Sequence, residues 1–170
     1  MTPPFRIRPM RPDDWPALQR LSVAARARYA AIPVLAAVAA GPPVSLARFA
    51  AGGGWVAEDK TGPLGHALTR PLDGLLYLDN ISTRGAGTVR GIGTALLLRV
   101  IAAARQEGFA RIALTTFRDP AWNGPWFRRF GFVPMPARDL GPGLAAVVAA
   151  QALTLDPALR EVLELRLTGG

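Results

Sequence analysis

Apolar and polar residues alternate in Phe5-Arg6-Ile7-Arg8, which predicts a short strand with Phe5 and Ile7 on one side. Arg11-Pro12-Asp13-Asp14-Trp15 then reads as a helix start, because Pro tolerates the first helical turn and acidic residues complement its positive end. Residues 18–49 are alanine-rich with helical spacing. Ile32-Pro33 and Gly41-Pro42-Pro43 break that pattern, so two or three short helices are expected there. Trp55-Val56-Ala57-Glu58 and residues 64–69 flank the turn sequence Lys60-Thr61-Gly62-Pro63 and predict a hairpin. Residues 75–83 follow as a long central strand. A glycine-rich loop spans 84–93, residues 94–107 carry apolar side chains at helical spacing, and Gly108 ends them. Beyond it come a strand at 110–116, a short helix at 122–130, a strand at 132–135, a helix at 144–153 and a closing strand at 161–167, whose residues alternate.

Strands interleaved with helices over 170 residues predict a single α/β domain with one active site. Half the residues are hydrophobic, as in a folded protein. The chain has no cysteine, which excludes disulfides, thiol nucleophiles and cysteine-ligated zinc and fits a reducing, cytoplasmic setting. His66 is the only histidine, so no metal cofactor is expected. The start Met1-Thr2-Pro3-Pro4 lacks the basic and apolar regions of a secretory leader. The longest apolar stretch, 29–40, is too short to cross a bilayer and contains Pro33, so no membrane partner is expected.

The net charge of +8 raises the question of a nucleic-acid partner. The arginines are scattered rather than clustered, and no zinc-finger or RNA-recognition signature accompanies them. A solvated surface, or a groove for a smaller polyphosphate, accounts for the charge without nucleic acid.

The loop at 84–93 is the first chemical signal. A strand that feeds a glycine-rich turn and then a helix aims unpaired backbone N–H groups and a positive helix end at one point, where phosphate oxygens bind. Gly91 and Gly93 allow close approach, and Arg84 and Arg90 add charge. The loop lacks both the Gly-Lys-Ser/Thr ending of a P-loop and a complete dinucleotide fingerprint.

In these residues the chain resembles the GNAT superfamily of N-acyltransferases. Leu78-Asp79-Asn80-Ile81-Ser82-Thr83 is similar to the family's fourth strand, and the stretch from Val89 through Arg90-Gly91-Ile92-Gly93-Thr94 to Leu97 is similar to its pyrophosphate loop and helix. Asn123-Gly124-Pro125-Trp126-Phe127-Arg128-Arg129-Phe130-Gly131-Phe132 is similar to its later signature. The resemblance implies a central mixed, splayed β-sheet of about six to seven strands flanked by helices. It also implies an acetyl-CoA-dependent N-acetyltransferase acting on a primary amine of a small molecule or peptide. Ile81, Ser82 and Thr83 would bind the pantetheine arm in a cleft between the fourth and fifth strands. Thr88, Val89, Arg90, Gly91, Ile92, Gly93 and Thr94 would hold the pyrophosphate, and Asn123 and Phe127 would meet the cofactor arm. Asn123 reads equally as a helix cap. Dimerisation is common among similar proteins, which leaves room for a homodimer.

On the same resemblance, Asp79 is the candidate general base, with an ammonium anchor or an ordinary hydrogen-bonded carboxylate as its other readings. The backbone N–H near Ile81 is the candidate that polarises the carbonyl. Phe127 stands where many relatives carry a tyrosine that protonates the departing thiolate. Tyr77 and Tyr29 are substitutes for that acid, or simply packed aromatics. Thr88 and Val89 depart from the family loop, and Arg90 is placed to compensate. Phe127 and the altered loop also motivate an alternative, a CoA-binding module with little catalysis. His66 faces the acceptor pocket or is structural, and the four tryptophans read first as core.

Overall fold

The computed structural model describes residues 4–85 and 90–168. Thr88 and Val89 lie outside the described residues. The alternating start forms β1 (Arg6–Pro9), and the Asp-rich turn leads through a short 3-10 segment into α1 (Trp15–Arg26). The proline-broken region becomes further 3-10 turns, the short α2 (Ala36–Ala39) and α3 (Leu46–Ala50). Ser45 starts α3 by accepting the Arg48 backbone N–H on its hydroxyl. The hairpin is β2 (Gly53–Asp59) and β3 (Gly62–Leu72), followed by β4 (Leu75–Thr83). Then come α4 (Ile92–Gln106), β5 (Arg111–Phe117), α5 (Gly124–Arg128), β6 (Val133–Pro134), α6 (Pro142–Gln151) and β7 (Arg160–Arg166). The strands make a seven-stranded mixed sheet in the order β1-β2-β3-β4-β5-β7-β6.

Two compact units divide the chain: Met1–Arg70 with Asn80–Ile101, and Pro71–Asp79 with Ala102–Gly170. In the first unit, β1 and β2 pair antiparallel with Ile7 opposite Ala57, and β2 pairs with β3 with Val56 opposite His66. Leu18, Val44, Phe49, Val56 and Leu68 form its core, with Met10 and Trp15 against the edge. In the second unit, β4 runs parallel to β5, with Leu76 beside Ile112 and Tyr77 beside Ala113. β5 pairs antiparallel with β7 over its whole length. Leu75, Tyr77, Ala113, Met135 and Leu144 are the core there.

Several predicted elements shift at their ends. The helix expected at 122–130 contracts to α5, because Asn123 has non-helical dihedrals and Gly131 takes a φ of 93° that ends the turn. The strand expected at 132–135 is only Val133–Pro134, and both residues are exposed. Pro142 sits in the first turn of α6, so that helix starts two residues earlier than the apolar pattern suggests. None of the four tryptophans is fully buried; Trp55 lies under the Arg99 guanidinium, 4.1 Å from its ring centroid.

Gly141, the residue before α6, offers no side-chain cap. The carboxylate of Asp73, in the β3–β4 turn, does this work from a distance in sequence. It accepts the Gly143 N–H at 2.9 Å and the Leu144 N–H at 2.8 Å. Asp73 holds a φ of 52°, a left-handed conformation that Asp tolerates better than most residues. Asp73→Ala is therefore expected to cost about 1–2 kcal/mol, read as a lower urea midpoint at unchanged slope. A midpoint equal to that of the parent protein would show that solvent replaces the cap.

Candidate active site

β4 is buried from Leu75 to Leu78 and then opens, so that Asp79, Asn80 and Ile81 are half-buried, Ser82 is buried and Thr83 is half-buried. The change falls at the end of β4, where Ile81, Ser82 and Thr83 are expected to meet a ligand. The end of β4 is held to β3 by the Arg84 N–H, which donates to the Leu64 carbonyl at 2.8 Å.

Asn80, Ile81, Ser82, Thr83, Arg90, Gly91, Ile92, Gly93 and Thr94 all belong to the first unit. Gly91 has a φ of 86° with open space where a side chain would project. Its carbonyl accepts the Ala95 N–H at 2.9 Å as α4 begins. The N–H groups of Ile92, Gly93 and Thr94 precede that bond in the first turn of α4, the end of a helix where an anion is favoured. Arg90 and Gly91 are exposed, whereas Ile92 is buried and fastens the turn to the sheet.

Gly65 makes that fastening close. A Cβ there would lie 2.9 Å from the Ser82 carbonyl oxygen, 3.0 Å from Ile92 Cγ2 and 3.1 Å from Leu96 Cδ1. The opening turns of α4 therefore rest on bare backbone at this point of β3. Open space at Gly91 and the exposed Arg90 leave room for an anion at the start of α4.

The second unit carries Asp79, Asn123 and Phe127. Asn123 occupies the position before α5, and its carbonyl accepts the Trp126 and Phe127 N–H groups at 2.9 and 3.1 Å. Its side chain makes no capping hydrogen bond, so the capping reading of the carboxamide is not realised. Phe127 is buried, edge-on to Trp126 at 4.9 Å and to Phe132 at 5.6 Å between centroids. The helix is braced by Arg128 on Glu161 at 2.5 Å and by Gly124, whose missing side chain leaves room for the Glu161 carboxylate. Tyr77 and Tyr29 are both buried. The Tyr77 hydroxyl lies 3.4 Å from the Thr115 hydroxyl.

His66 is the polar residue that sequence reasoning left open. Its side chain is fully buried on β3, 5.7 Å from the Phe49 ring. Burial pushes its pKa down to about 4; the Asn80 side chain opposes that shift and the charge of Arg48 adds to it. Asn80 makes no well-aligned hydrogen bond to either ring nitrogen, and its Oδ1 instead accepts the Ser82 hydroxyl at 2.8 Å. His66 is accordingly a neutral imidazole inside the first unit. Only its position in a buried strand, not its residue type, hinted at this.

Among the described residues, no helix is long and apolar enough to cross a membrane, and no group of three His, Cys, Asp or Glu side chains is arranged to hold a metal.

The fold is shared with solved acetyltransferases. Over 99% of this chain and 36% of that one, it matches N-acetylglutamate synthase from Neisseria gonorrhoeae, complexed with coenzyme A and N-acetyl-glutamate, with a TM-score of 0.70 and 16% identity. The present chain thus spans about a third of that enzyme's length. The ribosomal-protein-S18-alanine N-acetyltransferase from Escherichia coli matches over 98% of this chain and 96% of its own, with a TM-score of 0.69 and 17% identity. Arabidopsis thaliana Naa50 in complex with the bisubstrate analogue CoA-Ac-MVNAL matches over 96% and 99%, with a TM-score of 0.66 and 14% identity. These likenesses establish the architecture. The sequence model of the Acetyltransferase (GNAT) family matches residues 15–132, which include the β4 strand, the α4 turn and the α5 signature. The chain belongs to the GNAT acetyltransferase family.

Proposed function

We propose that residues 1–170 act as one acetyltransferase domain that moves an acetyl group from acetyl-CoA to a primary amine of a small molecule or peptide. The observation that carries this reading is the α4 turn: the start of a long helix and an exposed Arg90 beside an open Gly91, seated on β3 through Gly65. Val89 through Thr94 would hold the diphosphate, and Ile81 and Thr83 would bond the pantetheine amides as an added strand would. Thr88 and Asn123 complete the cofactor contacts in this reading. A cytoplasmic location accords with a chain that lacks cysteine.

Acetyl-CoA supplies an activated thioester carbonyl. Asp79 takes a proton from the acceptor ammonium, directly or through water, and frees its lone pair. The amine nitrogen then bonds the carbonyl carbon as the C–S bond breaks. In this reading the backbone N–H near Ile81 stabilises charge developing on the carbonyl oxygen. The thiolate leaves with its electron pair, the newly acylated nitrogen sheds its surplus proton to solvent, and the thiolate takes one up, so that neutral amide and free coenzyme A result. Phe127 supports the arm by packing alone, since it has no proton to give, and a thiol with a pKa of about 8.5 departs without full protonation.

Titration calorimetry with coenzyme A tests the cradle, and thiol release with a panel of amines tests the transfer. Absence of coenzyme A binding would defeat the reading. Binding without release on any amine would favour the alternative of a CoA-binding module, which Phe127 motivates. Phe127→Tyr is expected to raise kcat by up to about tenfold by restoring an acid near the sulfur. An unchanged kcat would mean that another step limits turnover.

A further inference from the structure

We infer that Glu161 is a positioning residue for the pantetheine arm: through Arg128 it fixes α5, and with it the places of Asn123 and Phe127. The inference rests on the acetyltransferase reading above and adds to it a residue that acts through others.

A helix of five residues does not hold itself in water, so the position of α5 is set by what it packs against. On one side that is an aromatic group: Trp126 with Phe127, Trp126 with Phe130 and Phe127 with Phe132, at centroid distances of 4.9, 5.0 and 5.6 Å. Apolar burial of this kind is non-directional and leaves the helix free to slide or turn.

Glu161 supplies the direction. It stands on β7 opposite Thr116, in a pairing with β5 that runs from Arg111 to Phe117. Just beyond, the Arg118 N–H donates to the Leu159 carbonyl at 2.9 Å and its guanidinium to the Arg160 carbonyl at 2.8 Å. From that fixed base the carboxylate, only 5% exposed, takes Arg128 on Oε2 at 2.5 Å. Gly124 is fitted to the same carboxylate, because a Cβ there would fall 2.2 Å from Glu161 Oε1 and 2.7 Å from Arg128 Nη1. Glu161 thus meets both ends of α5, the first residue by close approach and the last by charge.

The other buried acid of β7, Glu164, makes the contrast. Its partners Arg111 and Arg166, at 3.3 and 3.4 Å, lie in β5 and β7, so it joins strand to strand. Glu161 reaches out of the sheet to the helix that follows Asn123. Its Oε1 is buried and finds no hydrogen-bond partner in the protein. A carboxylate withdrawn from water and half satisfied is a costly source of stability, and an apolar side chain would fill the space without that cost. What the charge adds is one defined distance between β7 and α5.

The test compares two ligands by titration calorimetry: coenzyme A, and its phosphorylated ADP moiety without the pantetheine arm. Glu161→Gln is expected to raise the Kd for coenzyme A by roughly tenfold, the worth of one well-placed hydrogen bond, and to leave that for the ADP moiety unchanged. Arg128→Gln should give the same split, and the double variant no more than either single change, because each breaks one shared contact. Arg128→Lys keeps a cation within reach of the carboxylate and should recover most of the affinity. If Glu161→Gln does not fold, Arg128→Gln, at an exposed position, carries the comparison. Unchanged affinity for coenzyme A, an equal loss for both ligands, or additive effects of the two changes would overturn the inference while the acetyltransferase reading stands. A parent protein that binds no coenzyme A defeats that reading, and this inference with it.

Discussion

Asp79→Asn is expected to lower kcat about a hundredfold while the affinity for coenzyme A stays unchanged. The carboxamide has nearly the volume of the carboxylate, so β4 keeps its packing, and only the capacity to accept a proton disappears. An amine that must shed its proton to solvent reacts faster as pH rises, so the variant should recover part of its rate above about pH 9, closer to the amine's own pKa. The parent enzyme should have reached its plateau at lower pH. Equal turnover and equal pH profiles for the two proteins would remove Asp79 from the chemistry and leave an anchoring or structural role. Because Asp79 lies where β4 passes from buried to half-buried, a proton taken there has an exit to water.

Acidification should destabilise the protein well before its carboxylates protonate. In the unfolded chain His66 titrates near 6.5, and in the folded chain near 4. Between these values the unfolded state binds a proton that the folded state refuses, so falling pH favours unfolding. The stabilisation is complete above about pH 6.5, declines as pH drops, and reaches its full loss near pH 4, a total of about 3 kcal/mol. Asp14 and Glu58 act in a lower window. Hydrogen bonding to Arg8 lowers both carboxylate pKa values, so their contribution fades only as pH falls below the ordinary carboxylate range. Urea unfolding at pH 7.0, 5.5 and 4.5 separates the two, and His66→Gln should flatten the upper part of the curve even if it lowers stability overall. A parent protein equally stable at pH 7.0 and 4.5 would show that His66 is charged in the fold.

The sequence pattern located β4 at its observed bounds because its signal is strong: a run of apolar residues from Leu75 to Leu78 between two turns. α4 was equally legible, because Leu96, Leu97, Val100 and Ala104 recur at helical spacing and all four are buried. The ends of α5 and β6 were not. Their limits are set by single dihedrals at Asn123 and Gly131 and by an exposed proline, which periodicity does not register. At the site, the order strand, glycine turn, helix suggested a phosphate site, although a tight structural loop accounts for that order nearly as well. The remote cap from Asp73 to α6 was invisible, as it joins residues about seventy positions apart.

Gly65 ties the chemistry to an unexpected place. It lies behind Ile92, and it sets how near the opening of α4 can settle on the strands beneath. A single added methyl would lift that helical end by a few tenths of an ångström and turn its amide protons off target. If the coenzyme sits at the α4 turn as proposed, its recognition depends on an absence of atoms beneath it as much as on the groups that touch it.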